Sequence, residues 1–66
     1  MKNKIRDLRA DKSWTQEDLA KAVGVSRQTI NAIEKGKFDP SLPTAFRLSK
    51  LFQKPIEDLF DFNEAS

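Results

Sequence analysis

Gly24 and Ser26 stand either side of a single residue, Val25, and that interval constrains the chain more than any other feature in it. Glycine supplies the left-handed residue at which helices end, and serine supplies a side-chain oxygen for the unpaired amides at which helices begin. One helix must stop and another start within about three residues, so the two become packed neighbours. The surrounding side chains have suitable sizes. Ala20 is small where the helices cross closely, Val25 is an apolar plug for the turn, and Ile30 and Ile33 are spaced to anchor the second helix from beneath.

The rest of the chain is punctuated in the same way. Thr15 can cap a helix while Asp18 reaches back to it, an Asp form of the capping box, and Trp14 with Leu19 can close a hydrophobic staple. Val25 and Ile30 repeat the staple, and Gly36 ends the helix that Ser26 begins. After a turn at Lys37, Phe38, Asp39 and Pro40, Ser41 caps a further helix with Pro43 in its first turn, where a missing amide proton costs least. Pro55 opens a last short helix. Apolar residues recur at helical spacing with no sustained alternation of period two, which predicts an all-α fold. The expected helices cover about 4–11, 16–23, 27–35, 42–52 and 56–60, with a tail over 61–66. Leu42, Ala45, Phe46, Leu48, Ser49 and Phe52 are expected to form a broad inward face on the fourth.

With 66 residues and 38% apolar content the chain can bury only one small core, so a single domain over 1–66 is expected. It contains no histidine, cysteine or tyrosine, which removes the usual general bases, thiol nucleophiles and most metal ligands. The acids Asp7, Asp11, Glu17, Asp18, Asp39, Glu57, Asp58, Asp61 and Glu64 are spread over helix surfaces, where solubility and capping account for them. No enzyme, metal, cofactor or small-molecule ligand is expected. No apolar run approaches the ~20 residues of a membrane span, and a chain without thiols suits a reducing compartment as well as secretion, so the cytoplasm is the expected location. Residues 1–37 hold nine Lys or Arg against five Asp or Glu, and residues 38–66 three against five. The first part can face a polyanion; the second has no reason to.

On a helical wheel at ~100° per residue with Ile30 and Ile33 inward, Gln28, Asn31, Ala32 and Lys35 project outward, Arg27 lies at the rim, and Glu34 sits beside the buried edge. The exposed face is amide at its centre and basic at its flanks. Glutamine can bond adenine N6 and N7 in a bidentate pair, and arginine guanine O6 and N7. For any one of these residues alone, solvation on a helix surface is an equal explanation.

Thr15-Gln16-Glu17-Asp18-Leu19-Ala20, then Gly24-Val25-Ser26-Arg27-Gln28-Thr29-Ile30, then Ile33-Glu34-Lys35-Gly36 and Pro40-Ser41-Leu42 resemble the phage-repressor and Cro type of helix-turn-helix regulator, over about Ile5 to Phe60. The resemblance implies a compact five-helix DNA-binding domain with helices 2 and 3 as the helix-turn-helix, a homodimer on an inverted-repeat operator, and control of transcription, usually repression. It places base contacts at Arg27, Gln28 and Ala32, with Ser26 and Thr29 as nearby polar contacts. Ala32 departs from the longer polar side chains often found there and can only touch a thymine methyl. The resemblance also implies a structural ion pair between Arg9 and Glu34.

Backbone phosphates fall to flanking residues. Gln16 lies at a helix amino end that already favours an anion, and the family uses this glutamine against phosphate. Asn31, Lys35 and Lys37 are the other candidates, and the two lysines equally suit solvated charge near a helix carboxyl end. Reading three or four base pairs with one helix gives little specificity, so two copies ~34 Å apart are expected. The acidic second half is the candidate dimer surface. The family's dimer regions map onto Asp39, Pro40, Pro55 and Ile56, and Leu51 is added because it points away from the fourth helix's inward face. Ile56 is equally explicable as core, and Phe62 either covers this edge or is unstructured. The competing reading is an antitoxin or another protein-interaction module of the same fold, which a copurifying partner would reveal.

Overall fold

Three helices begin at a hydroxyl that accepts the amide proton three residues on: Thr15 from Asp18 at 3.0 Å, Ser26 from Thr29 at 3.1 Å and Ser41 from Thr44 at 3.3 Å. The computed structural model describes residues 1–62. In chain order these form β1 (Lys2–Asn3), α1 (Ile5–Asp11), α2 (Gln16–Val23), α3 (Arg27–Glu34), α4 (Leu42–Phe52), α5 (Ile56–Leu59) and β2 (Phe60–Asp61). Lys4 and Lys35 are cap residues rather than helical ones, and Phe60 has already left α5 for a strand.

At Thr15 the box is complete, since the Asp18 carboxylate accepts the Thr15 amide proton at 2.9 Å. Gly24 ends α2 with φ at +78°, and its amide donates to the Ala20 carbonyl. These local devices put α2 and α3 where the sequence places them. Their apolar faces meet in one core of Leu19, Ala20, Val23, Ile30 and Ile33, joined by Ile5 from α1, Leu48 and Phe52 from α4, and Leu59 with Phe60 from the end. Trp14 packs against this core, its ring centroid 5.8 Å from that of Phe52.

The box makes stability depend on pH. Hydrogen bonds from Thr15, chiefly its amide and then its hydroxyl, hold the Asp18 carboxyl below its ordinary value of 3.8. A group whose value is depressed on folding adds stability above its unfolded value and loses it as pH falls through the folded one. Asp18→Asn is therefore expected to melt below wild type at neutral pH, with the gap narrowing once the pH drops below about 4. A gap of constant size down to strongly acidic pH would show that charge has no part in the box.

Elsewhere the fold departs from the sequence reading. First, a short antiparallel pair joins the ends of the described chain, with Lys2 opposite Asp61 and Asn3 opposite Phe60. Two-residue strands are too short to show a period, and their pairing is non-local. Second, α4 buries Thr44, Ala45, Leu48 and Phe52, while Leu42 and Phe46, expected inward, are 66% and 52% exposed. On the wheel Phe46 falls nearly opposite the middle of the buried arc, and Leu42, the first residue of the helix, lies beyond the edge of that arc. Ser49 is half-buried and spends its hydroxyl on the Lys54 carbonyl. Leu51 packs against the core instead of turning from it, and the tail beyond Phe62 lies outside the described residues. Among the described residues no helix is long and apolar enough to cross a membrane.

Candidate nucleic-acid interface

Ile30 and Ile33 are buried beneath α3, which leaves its first turn on the surface. Arg27 and Gln28 there are exposed, as are Ser26 before them and Lys35 and Lys37 after the helix; Thr29 and Ala32 are half-buried. The Ser26 and Thr29 hydroxyls are 2.9 Å apart, so the cap also orients the Thr29 side chain. Asn31, expected outward, is half-buried and faces α2, where its amide donates to Gln16 Oε1 at 3.4 Å.

That contact is one link of a polar chain across α1, α2 and α3. Gln16 Nε2 donates to Glu34 Oε1 at 3.1 Å. Arg9 Nε donates to Glu34 Oε2 at 2.7 Å, and another guanidinium nitrogen donates to Oε1 at 3.2 Å. The third guanidinium nitrogen donates to the Trp14 carbonyl at 2.8 Å. The Glu34 side chain is only 4% exposed and that of Arg9 16%, and the hydrogen bond to Glu34 raises the guanidinium above its ordinary value. A carboxylate so enclosed needs several donors, and it receives three.

The pair has an electrostatic consequence for the face as well. Glu34 is the acidic residue of α3, and Arg9 neutralises it from within, so the positive charges of Arg27, Lys35 and Lys37 face solvent without an opposing carboxylate on that helix. Arg6 joins them: it lines a shallow depression with Arg9, Gln16, Asn31, Glu34 and Lys35. The sequence reading missed Arg6, although its placement three residues before Arg9 on α1 sets the two on one side of that helix. Lys37 lies outside this depression, as do Arg27 and Gln28.

The residues assigned to a dimer surface divide. Asp39, Pro40 and Ile56 line a second, larger depression together with Phe60 and Phe62, whereas Leu51 and Pro55 do not. Ile56 is half-buried and also packs against the core. Phe62, 70% exposed, lies at the margin of this depression.

The chain matches the family described as Helix-turn-helix (HTH_3) over residues 5–59. It is 59% identical to an uncharacterized HTH-type transcriptional regulator, MJ0272, of Methanocaldococcus jannaschii, covering 97% of each chain. It is 39% identical to the cryptic phage CTXphi transcriptional repressor RstR of Vibrio cholerae, over 97% of this chain and 58% of that one. Among solved structures it is similar to the restriction-modification controller protein C.AhdI of Aeromonas hydrophila, with a TM-score of 0.75, 30% identity and 85% of each chain covered. With α2 and α3 joined through Gly24 and the match spanning most of its length, the chain belongs to the phage-repressor and Cro type of helix-turn-helix, DNA-binding transcriptional regulators.

Proposed function

We propose that the protein is a homodimeric repressor that binds an inverted-repeat operator in the cytoplasm. Arg27, Gln28 and Ala32 meet base edges, and Gln16, Ser26, Thr29, Asn31, Lys35 and Lys37 lie on or near the sugar-phosphate backbone. The observation that supports this reading best is the exposed first turn of α3 on a helix immobilised from behind, by buried Ile30 and Ile33 and by the Arg9–Glu34 pair. A reader of base edges needs its side chains free and its backbone fixed. Gln16 fits a phosphate contact because Glu34 and Asn31 already hold its amide in one orientation. Repression accords with the name of RstR, and occupation of promoter DNA is its simplest mechanism.

Selection from random duplexes is expected to return an inverted repeat. Gln28→Ala should then relax preference at one symmetric pair of positions, losing about 1–3 kcal/mol of discrimination per half-site. Binding of equal strength to every sequence, with a salt slope as its sole feature, would refute specific recognition.

In this reading the second copy sits on the depression lined by Asp39, Pro40, Ile56 and Phe62, with Pro55 and Leu51 contacting it from outside that lining. A large aromatic left on the surface is a poor component of a monomer and a good anchor between copies. Phe62→Asp is expected to weaken self-association at least tenfold in sedimentation equilibrium, about 1.4 kcal/mol or more, with little change in melting of the monomer. Dimers of undiminished strength would move the interface elsewhere.

A further inference from the structure

Asn3 belongs to no sequence motif, yet its side chain joins three segments. Its Nδ2 donates to the Ile33 carbonyl at 2.8 Å and to the Met1 carbonyl at 3.2 Å, while Oδ1 accepts the Ile5 amide proton at 3.1 Å. An asparagine side chain offers two amide protons and a carbonyl oxygen, and every one is engaged. The Asn3 backbone lies in β1 opposite Phe60, and the amide of the next residue, Lys4, donates to the Leu59 carbonyl at 2.9 Å.

The Ile33 carbonyl sits in the last turn of α3, where carbonyls lack intrahelical donors. It takes the Gly36 amide at 2.9 Å as well as the Asn3 side chain. The two ends of α3 are therefore held by different means. Its beginning is capped by Ser26, its middle is seated on Ile30, and its far end is fastened to the strand that also pairs with β2. Without the Asn3 bond α3 keeps its cap, its apolar seat, the Arg9–Glu34 pair to α1 and the Met1 ammonium on the Gly36 carbonyl at 3.0 Å, but its far end loses a side-chain tie to the β1–β2 pair and to α5 beside it.

We propose that Asn3 is a positioning residue that sets the angle of α3 against the unit of β1, β2 and α5, and through it the distance between the two reading helices of the dimer. The inference rests on the homodimer reading above, in which Ile56 of α5, Phe60 of β2 and Phe62 line the seat of the second copy. A rotation between α3 and that unit acts once in each protomer and displaces the readers in opposite senses. On an arm of about 17 Å, half the ~34 Å between successive half-sites, a swing of about 10° moves each reader by about 3 Å, close to one base-pair step.

Two variants separate this role from that of capping α1. Asn3→Ser keeps an oxygen that can accept the Ile5 amide but is too short to reach Ile33. Asn3→Asp keeps the acceptor and turns a carboxylate, with no proton to donate, toward the Ile33 carbonyl. Residual dipolar couplings of the free protein would report the angle between α3 and α5. Binding would be measured on duplexes that carry the half-sites selected by wild type at a range of separations, and on a single half-site. Both variants are expected to change the angle, to lose about tenfold in affinity at the preferred separation, and to show a broadened or displaced separation preference, with single half-site affinity changed less than about twofold.

An unchanged angle with an unchanged separation profile overturns the proposal. So does an equal loss on the single half-site and the full operator, which is the mark of a merely structural residue. If one variant fails to fold, the other decides; failure of both would also overturn the assignment, because a bond that only sets an angle does not hold the fold together. A wild-type selection without an inverted repeat would defeat the homodimer reading, while the dipolar couplings, read without DNA, still judge the hold of Asn3 on α3.

Discussion

Glu34→Ala is expected to melt more than about 10 °C below wild type. The substitution leaves the guanidinium of Arg9, whose side chain is 16% exposed, without the carboxylate that takes two of its hydrogen bonds. It also removes the acceptor of Gln16 Nε2. Breaking a buried pair by removing one partner costs about 3–5 kcal/mol, because the survivor keeps its desolvation penalty. In a domain of this size each kcal/mol moves the midpoint by about 4–8 °C. Replacing both partners, as in Arg9→Met with Glu34→Leu, is expected to recover much of the loss, since neither charge then remains enclosed. Thermal unfolding followed by circular dichroism measures both, and a Glu34→Ala melting curve superimposable on wild type would sink the idea that this pair locks α1 to α3.

Ile30→Ala is the second large effect. The side chain is fully buried beneath α3, and truncating such a residue costs about 2–5 kcal/mol in lost transfer energy and residual cavity. Whole-domain stability at this length is on the order of 3–10 kcal/mol. The loss is a large fraction of the total, so the urea midpoint is expected to fall steeply while the recognition face, once folded, is unchanged. Phe46→Ala is the control: it removes a larger side chain, but one that is 52% exposed, so a change within about 0.5 kcal/mol is expected. Urea midpoints for the two variants decide the matter. Similar midpoints would contradict the burial assigned to both residues.

That contrast separates local information from tertiary information. Ile30 and Ile33 are legible as buried because Ser26 and Gly36 bound their helix and the two lie three positions apart, which leaves one possible apolar face. On α4 the apolar residues are too many to define one. Leu42, Ala45, Phe46, Leu48 and Phe52 surround much of the helix, and the wheel admits more than one inward direction. Packing against α2 and α5 selected the side with Thr44, Ala45, Leu48 and Phe52.

The candidate site shows the same division. Exposure of Arg27 and Gln28 follows from the period of a short amphipathic helix, and their assignment to base edges follows from donor and acceptor chemistry. The Arg9–Glu34 pair was implied by family resemblance and by nothing in spacing, since the residues are 25 apart in the chain. The extension of that pair through Gln16 to Asn31 has no linear signature, and the helical wheel alone turns Asn31 outward. The Asn3 bond to Ile33 likewise joins residues 30 apart in the chain and has no linear signature.

Helix limits depend on a hydroxyl, a carboxylate or a glycine acting on amides and carbonyls within three or four residues, so linear order contained them: Thr15, Gly24, Ser26, Gly36 and Ser41 each act on neighbours in the chain. The exposed side of α4, the β1–β2 pair and the polar chain behind α3 depend on groups distant in sequence. Folding the helices onto one another brought these groups within bonding distance, and the limited interior volume left Leu42 and Phe46 on the surface.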